Sequence, residues 1–169
     1  MKDPSPTAGK TSGSWQRLDI GASAPRLLVV EDEPNDVFLL RRAFATANFP
    51  CSIEVVRDGQ EAREFLERVA SAEVKSQTGL PAIVILDLKM PRLDGFEFLQ
   101  WMREQAQFRR VVTIVLSTSG RPEDVNRAYD LGANCFLQKP VGGAEYLQMV
   151  RNLYDFWIKT NRLSPGLPR

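Results

Sequence analysis

From about residue 26 onward the chain alternates between two hydrophobic rhythms. Short apolar runs at about 27–31, 53–56, 82–87, 111–116 and 134–138 have the length of buried strands, and all but the last carry β-branched residues. Between them, apolar residues recur at helical spacing: Val37, Leu40, Phe44 and Ala47, then Ala62, Phe65, Leu66 and Val69, then Phe96, Leu99 and Met102. The spacing predicts helices running to about 47 and over about 60–72, 95–105, 122–131 and 143–160. Asn35 or Asp36 is the expected cap of the first, and Pro122 suits the first turn of the fourth. Asp58-Gly59 reads as a turn, and about 73–80 as a polar connection. Five strand–helix units in succession predict an α/β fold, with a parallel sheet covered by helices on both faces.

The last helix is predicted to be extended. Leu147, Val150, Tyr154, Trp157 and Ile158 fall at helical spacing and are expected to pack on the sheet. Tyr146, Met149, Leu153 and Phe156 are apolar too, so more than one face needs cover. That cover is either a wide contact with the core or a second copy of the chain. The sharper expectation is a homodimer or partner surface built from Tyr146, Met149, Leu153, Phe156 and Trp157.

Residues 1 to about 24 are rich in Pro, Ser, Gly, Thr and Ala without apolar periodicity, and are expected to form a disordered tail. Gly9-Lys10-Thr11 in that tail is not a phosphate loop, because Pro4 stands where the earlier glycine belongs and no strand precedes it. One domain is expected over about 25–160, followed by a short tail at 161–169 and no output domain.

Charge narrows the class. With 22 basic and 21 acidic residues the net charge is +1, which gives no electrostatic case for nucleic acid or an anionic membrane. The apolar runs are strand-sized, far short of the ~20 residues that span a bilayer. No secretion signal opens the chain, so a cytoplasmic protein is expected. Cys51 and Cys135 form no Cys-x-x-Cys pair and read as reduced thiols. The chain has no histidine, which excludes Ser-His-Asp and Cys-His catalysis, imidazole-ligated zinc and any phosphohistidine of its own.

The chemistry gathers at strand ends. The first strand delivers Glu31 and Asp32, the third Asp87, the fourth Ser117, and the fifth Lys139 followed by Pro140. In an open α/β sheet, ligands bind outside the carboxyl ends of the strands. Three acids in one crevice repel each other unless a cation joins them, and a hard divalent ion such as Mg2+ takes oxygen ligands. The expected set is Asp32 and Asp87 directly, Glu31 through water, and the Lys89 backbone carbonyl. A free Asp87 oxygen beside the metal can attack a phosphoryl donor and form an aspartyl phosphate. Lys139, Ser117 and local backbone N–H groups would then share the transferred oxygens with the metal.

Leu28-Val29-Val30-Glu31-Asp32-Glu33, the stretch Leu86-Asp87-Leu88-Lys89-Met90-Pro91-Arg92-Leu93-Asp94-Gly95, Ser117 and Lys139-Pro140 together resemble the receiver domain of two-component response regulators. The resemblance runs from about Arg26 to Ile158. Asn35-Asp36-Val37, Leu116-Ser117-Thr118-Ser119, Asn134-Cys135-Phe136 and Tyr154-Asp155-Phe156-Trp157 are most similar to the single-domain regulators that serve phytochrome-type kinases.

The resemblance implies a doubly wound, flavodoxin-like sheet in the order 2-1-3-4-5. It implies phosphorylation of Asp87 by a partner histidine kinase, and a switch in which Ser117 moves toward the phosphoryl group while Phe136 changes rotamer. Phe136 has no hydroxyl where many receivers have tyrosine, so that switch would be steric. Lys89 and Ser119 occupy positions that tune dephosphorylation in the family.

Three other readings compete. An aspartyl phosphatase of the haloacid-dehalogenase type needs an acid two residues after the nucleophile, where this chain has Lys89, so no enzyme acting on outside substrates is expected. A pseudo-receiver that binds without taking phosphate conflicts with the intact Glu31, Asp32, Asp87, Ser117 and Lys139. A phosphate sink or relay intermediate shares the same chemistry, and the sequence does not separate it from a signalling regulator.

Overall fold

The computed structural model describes residues 24–71 and 79–163. The predicted N-terminal tail, the connection at 73–80 and the C-terminal tail fall wholly or largely outside these residues. The elements follow in the predicted alternation: β1 (Arg26–Val30), α1 (Pro34–Ala47), β2 (Ser52–Val56), α2 (Gly59–Ser71), β3 (Ile83–Leu86), α3 (Gly95–Glu104), β4 (Val112–Ser117), α4 (Pro122–Asp130), β5 (Cys135–Gln138) and α5 (Gly143–Leu153). The strands are all parallel and form one sheet in the order β2-β1-β3-β4-β5, as the family resemblance implied.

Side chains alternate across each strand, so the sheet has two cores. Leu28, Val30, Val84, Leu86 and Val115 face α2 and α3, where they meet Leu66, Phe98, Leu99 and Met102. Leu27, Val29, Ile83, Ile85 and Ile114 face α1 and α5, where they meet Leu40, Phe44, Tyr146 and Val150. Each fully buried aliphatic or aromatic side chain contributes roughly 1.5–3 kcal/mol. Both faces of β1, β3 and β4 are covered, which is why their sequences are continuous apolar runs rather than alternating ones.

Two expectations are corrected at helix ends. Neither Asn35 nor Asp36 caps α1. Glu33 does, accepting from the Asn35 N–H at 3.4 Å, with Pro34 in the first turn, where its missing N–H costs nothing. The final helix is not one continuous α-helix to 160. It is α-helical to Leu153 and π-helical over Tyr154–Thr160. The wider π turn shifts the angular positions of the residues that follow, yet Tyr154 stays buried and Trp157 and Ile158 still pack against the core, as expected of the apolar stripe.

The structure removes Tyr146 from the surface assigned to this helix. Tyr146 is fully buried and cannot meet a partner, whereas Leu153 packs in the core and also lines the floor of a groove beside Met149, Phe156 and Trp157. Met149 and Trp157 are partly buried, and Phe156 is 54% exposed. No helix among the described residues is long and apolar enough to cross a membrane.

Candidate functional site

Strand register brings the site together. Val30 of β1 lies opposite Leu86 of β3, so the next residues, Glu31 and Asp87, leave the sheet side by side. The Asp87 N–H still donates to the Val30 carbonyl at 3.0 Å, extending the ladder to the acid itself. On the other flank Ser117 pairs with Gln138, and the Lys139 N–H donates to the Ser117 carbonyl at 2.8 Å. The β3–α3 turn then closes on the site from below. The Gly95 N–H donates to the Leu88 carbonyl at 3.1 Å, and a Cβ at Gly95 would lie 2.1 Å from the Asp87 carbonyl oxygen. Only glycine allows that approach. Asp94 caps α3 in a reciprocal pair with Glu97, which fixes where the turn ends.

Glu31, Asp32 and Asp87 each offer a carboxylate oxygen, and these oxygens lie within 4.8 Å of one another. Glu31 and Asp87 are buried, whereas Asp32 is open to solvent. Both oxygens of Asp87 are held: Oδ1 accepts from the Leu88 N–H at 2.7 Å, and Oδ2 from Lys139 Nζ at 3.1 Å. Lys139, with its side chain 5% exposed, also bonds Glu31 at 2.7 Å and Asp36 at 2.8 Å.

One ammonium is thus shared among three carboxylates, and this sets the charge states. Burial pushes the Glu31 carboxyl up to about 7, with Asp87 adding to the rise and Lys139 only partly opposing it. Burial opposes the charge on Lys139, but bonds to Asp36 and Glu31 and the nearby Asp87 more than offset it, so its pKa lies above the ordinary lysine range. Excess negative charge in a crevice of oxygen ligands fits a hard divalent cation.

Ser117 is fully buried, and its Oγ accepts from the Ser119 N–H at 3.2 Å. The Ser119 hydroxyl in turn donates to Asp124 in the first turn of α4. That bond, with Arg121 beside it, holds the Asp124 carboxyl below its ordinary range. Phe136 is half-buried against the α2–α3 side of the core, and the Lys89 side chain is exposed.

Sequence reasoning did not give Asp36 a place in the site. It bonds Lys139 through Oδ2, and its Oδ1 accepts from the Tyr146 hydroxyl at 3.0 Å. Burial first, then Asp36, raises the Tyr146 hydroxyl pKa well above its ordinary value. Pro34 was the available signal: it marks the first helical turn, which leaves Asp36 free of capping duty.

The family model described as "Response regulator receiver domain" matches residues 27–151. Response regulator Rcp1 of Synechocystis is 31% identical over 134 residues, which cover 79% of this chain and 89% of that protein. The response regulator RPA3017 in red light signaling of R. palustris is 35% identical with a TM-score of 0.76, covering 84% of this chain and 99% of that one. The phosphorylated cyanobacterial phytochrome response regulator RcpA is 31% identical with a TM-score of 0.74, covering 85% and 99%. Receiver domains bind Mg2+, partner with histidine kinases and are not in general enzymes on outside substrates. With its sheet order, its strand-end acids and this match over most of its length, the chain belongs to the response regulator receiver family and is related to the phytochrome response regulators.

Proposed function

We propose that this chain accepts a phosphoryl group on Asp87 from a partner histidine kinase of the phytochrome type, and that it does so with Mg2+. The observation that carries this reading is the state of Asp87: a buried carboxylate beside two further acids, with one oxygen held by the Leu88 N–H and the other by Lys139. The three acids and the Lys89 carbonyl are the groups that would hold the metal, which when bound would neutralise the crevice and the incoming phosphoryl oxygens. An Asp87 oxygen attacks the phosphorus of the kinase's phosphohistidine. The O–P bond forms as the N–P bond breaks, and the electron pair returns to the imidazole, which takes up a proton. Lys139 and the Ser117 hydroxyl stabilise the charge on the transferred oxygens. In the steric switch, Ser117 moves toward the phosphate and Phe136 takes the space it vacates.

The message would leave through an interface of two copies at the end of α5. Leu137, Met149, Phe156 and Trp157 line an open groove there, rimmed by the polar Glu145 and Gln148. The partly exposed Phe156 stands edge-on to Trp157, with ring centroids 5.0 Å apart. An apolar centre with a polar rim suits a self-complementary contact.

The test is intact-protein mass spectrometry after incubation with acetyl phosphate and Mg2+, beside Asp87→Asn. One phosphoryl adduct that needs the metal and is missing from the variant is the expected result. An adduct that persists in Asp87→Asn, or none in either protein at saturating metal, defeats the reading.

A further inference from the structure

We propose that Asp36, held in turn by the Tyr146 hydroxyl, is a positioning residue that keeps the Lys139 ammonium at Asp87 when a divalent cation occupies the acidic crevice. This rests on the phosphoacceptor reading above and names a residue pair that the reading does not require.

An ammonium has three N–H donors, and Lys139 spends them on three carboxylates: Glu31 at 2.7 Å, Asp36 at 2.8 Å and Asp87 at 3.1 Å. Two of those acids, Glu31 and Asp87, belong to the group that can hold a metal, and Asp36 does not. A divalent cation beside Glu31 and Asp87 repels the ammonium and competes for the same oxygens. Asp36 is then the one carboxylate of the three that Lys139 does not share with the metal. Without it, a lysine on a flexible four-carbon stem has every reason to swing to water.

Asp36 can hold the ammonium only if it is itself held. It sits in the first turn of α1, and its Oδ1 accepts from Tyr146 at 3.0 Å, while Oδ2 takes Lys139. Tyr146 is 0% exposed, locked into the core between the sheet, α1 and α5. A rigid ring on α5 thus orients a carboxylate on α1, and that carboxylate orients the lysine after β5. The same chain of contacts joins the phosphorylation site to α5 through a hydroxyl, a polar route that Phe136 cannot supply.

The experiment labels the full-length chain briefly with an amine-reactive acetylating reagent at saturating Mg2+ and quantifies Lys139 by peptide mass spectrometry. The exposed Lys89 and Lys159 serve as internal references. Asp36→Asn is expected to raise Lys139 labelling about tenfold with Mg2+, as loss of one charge-assisted hydrogen bond implies. It should do far less in EDTA, where Glu31 still holds the ammonium. Tyr146→Phe keeps the ring and should raise labelling by about threefold, with no further increase on the Asp36→Asn background.

Phosphorylation by acetyl phosphate should slow in parallel in both variants, while the half-saturating Mg2+ concentration stays unchanged. If Asp36→Asn fails to melt cooperatively, Tyr146→Phe decides. Lys139 protected as in the wild type in a folded variant overturns the proposal. Should the wild type take no phosphoryl group while the labelling pattern holds, the phosphoacceptor reading fails and the positioning role stands.

Discussion

Arg103 donates from Nε to the Gly132 carbonyl at 2.9 Å, and it lies so close over that glycine that a Cβ there would stand 2.9 Å from the same nitrogen. Its other donors reach the Val111 carbonyl at 3.1 Å, Thr113 Oγ1 at 3.0 Å and Asn134 Oδ1 at 3.2 Å. No carboxylate is in the set, so burial lowers the guanidinium pKa without a counter-charge to restore it. One side chain therefore ties α3 to β4 and to the turn that leads into β5.

Arg103→Ala leaves several acceptors without their donor and should cost about 2–3 kcal/mol in urea denaturation. Arg103→Lys should recover little of this, because an ammonium cannot reproduce a planar fork with donors in several directions. Gly132→Ala should also destabilise the fold, by about 1–3 kcal/mol, since it meets both the φ of +90° and the Arg103 side chain. A lysine variant as stable as the wild type would show that the fork is dispensable.

Gly95→Ala should be the most damaging small substitution at the site. The added Cβ would meet the Asp87 carbonyl at 2.1 Å and Leu88 Cα at 2.7 Å, both of them backbone. The turn must open, and it carries the phosphoacceptor with it. A loss of roughly 3 kcal/mol or more is expected, with phosphoryl acceptance from acetyl phosphate abolished in whatever fraction folds. Normal acceptance in a stable variant would mean that the turn moves without Asp87.

Stability of the metal-free protein should fall as pH rises through the Glu31 titration. Glu31 is held near 7 in the fold against 4.5 for its ordinary value, chiefly by burial. Between those values the folded state binds more protons than the unfolded chain, so unfolding free energy decreases with pH. The contribution present below about 4.5 is gone above about 7 and amounts to about 3 kcal/mol. Glu31→Gln should flatten that part of the profile. Thermal melting in EDTA from pH 5 to pH 8 checks both, and a wild-type curve parallel to the variant's would remove Glu31 as the cause.

Phe156→Ser should weaken self-association. The side chain is 54% exposed in one copy, and a two-fold interface would bury it twice. At roughly 1.5 kcal/mol per ring, the dimer dissociation constant should rise on the order of a hundredfold. Light scattering over a concentration series reads this directly. A wild-type chain that stays monomeric at every concentration, phosphorylated or not, ends the dimer hypothesis.

Much of this architecture is legible in the residues. The apolar runs that end in Glu31, Asp87, Ser117 and Lys139 place the site at the carboxyl edge of a parallel sheet, because strand identity and strand end are both local signals. What is not legible depends on which face a helix turns inward. The stripe Leu147, Val150, Tyr154 shares only Val150 and Tyr154 with the buried set Tyr146, Val150, Leu153 and Tyr154, and both fit helical spacing. Tertiary contact with α1 chooses between them, and with that choice Tyr146 passes from the surface to the site. Arg103 is opaque for a related reason: a charged side chain reads as solvated until its acceptors, 6 to 31 positions away, are seen around it.

The order β2-β1-β3-β4-β5 puts the first strand near the centre of the sheet, between neighbours that come later in the chain. Leu27 through Val30 pair on one side with 53–56 and on the other with 83–86. As the polypeptide emerges during synthesis, β1 can gain its first neighbour early, but its second edge and half of its apolar cover must wait for β3. A nascent chain halted before Ile83 would present a row of unpaired N–H and C=O groups on one of the most hydrophobic strands. An amino-terminal half halted there would keep one edge of β1 unpaired, which predicts aggregation or chaperone capture until β3 arrives.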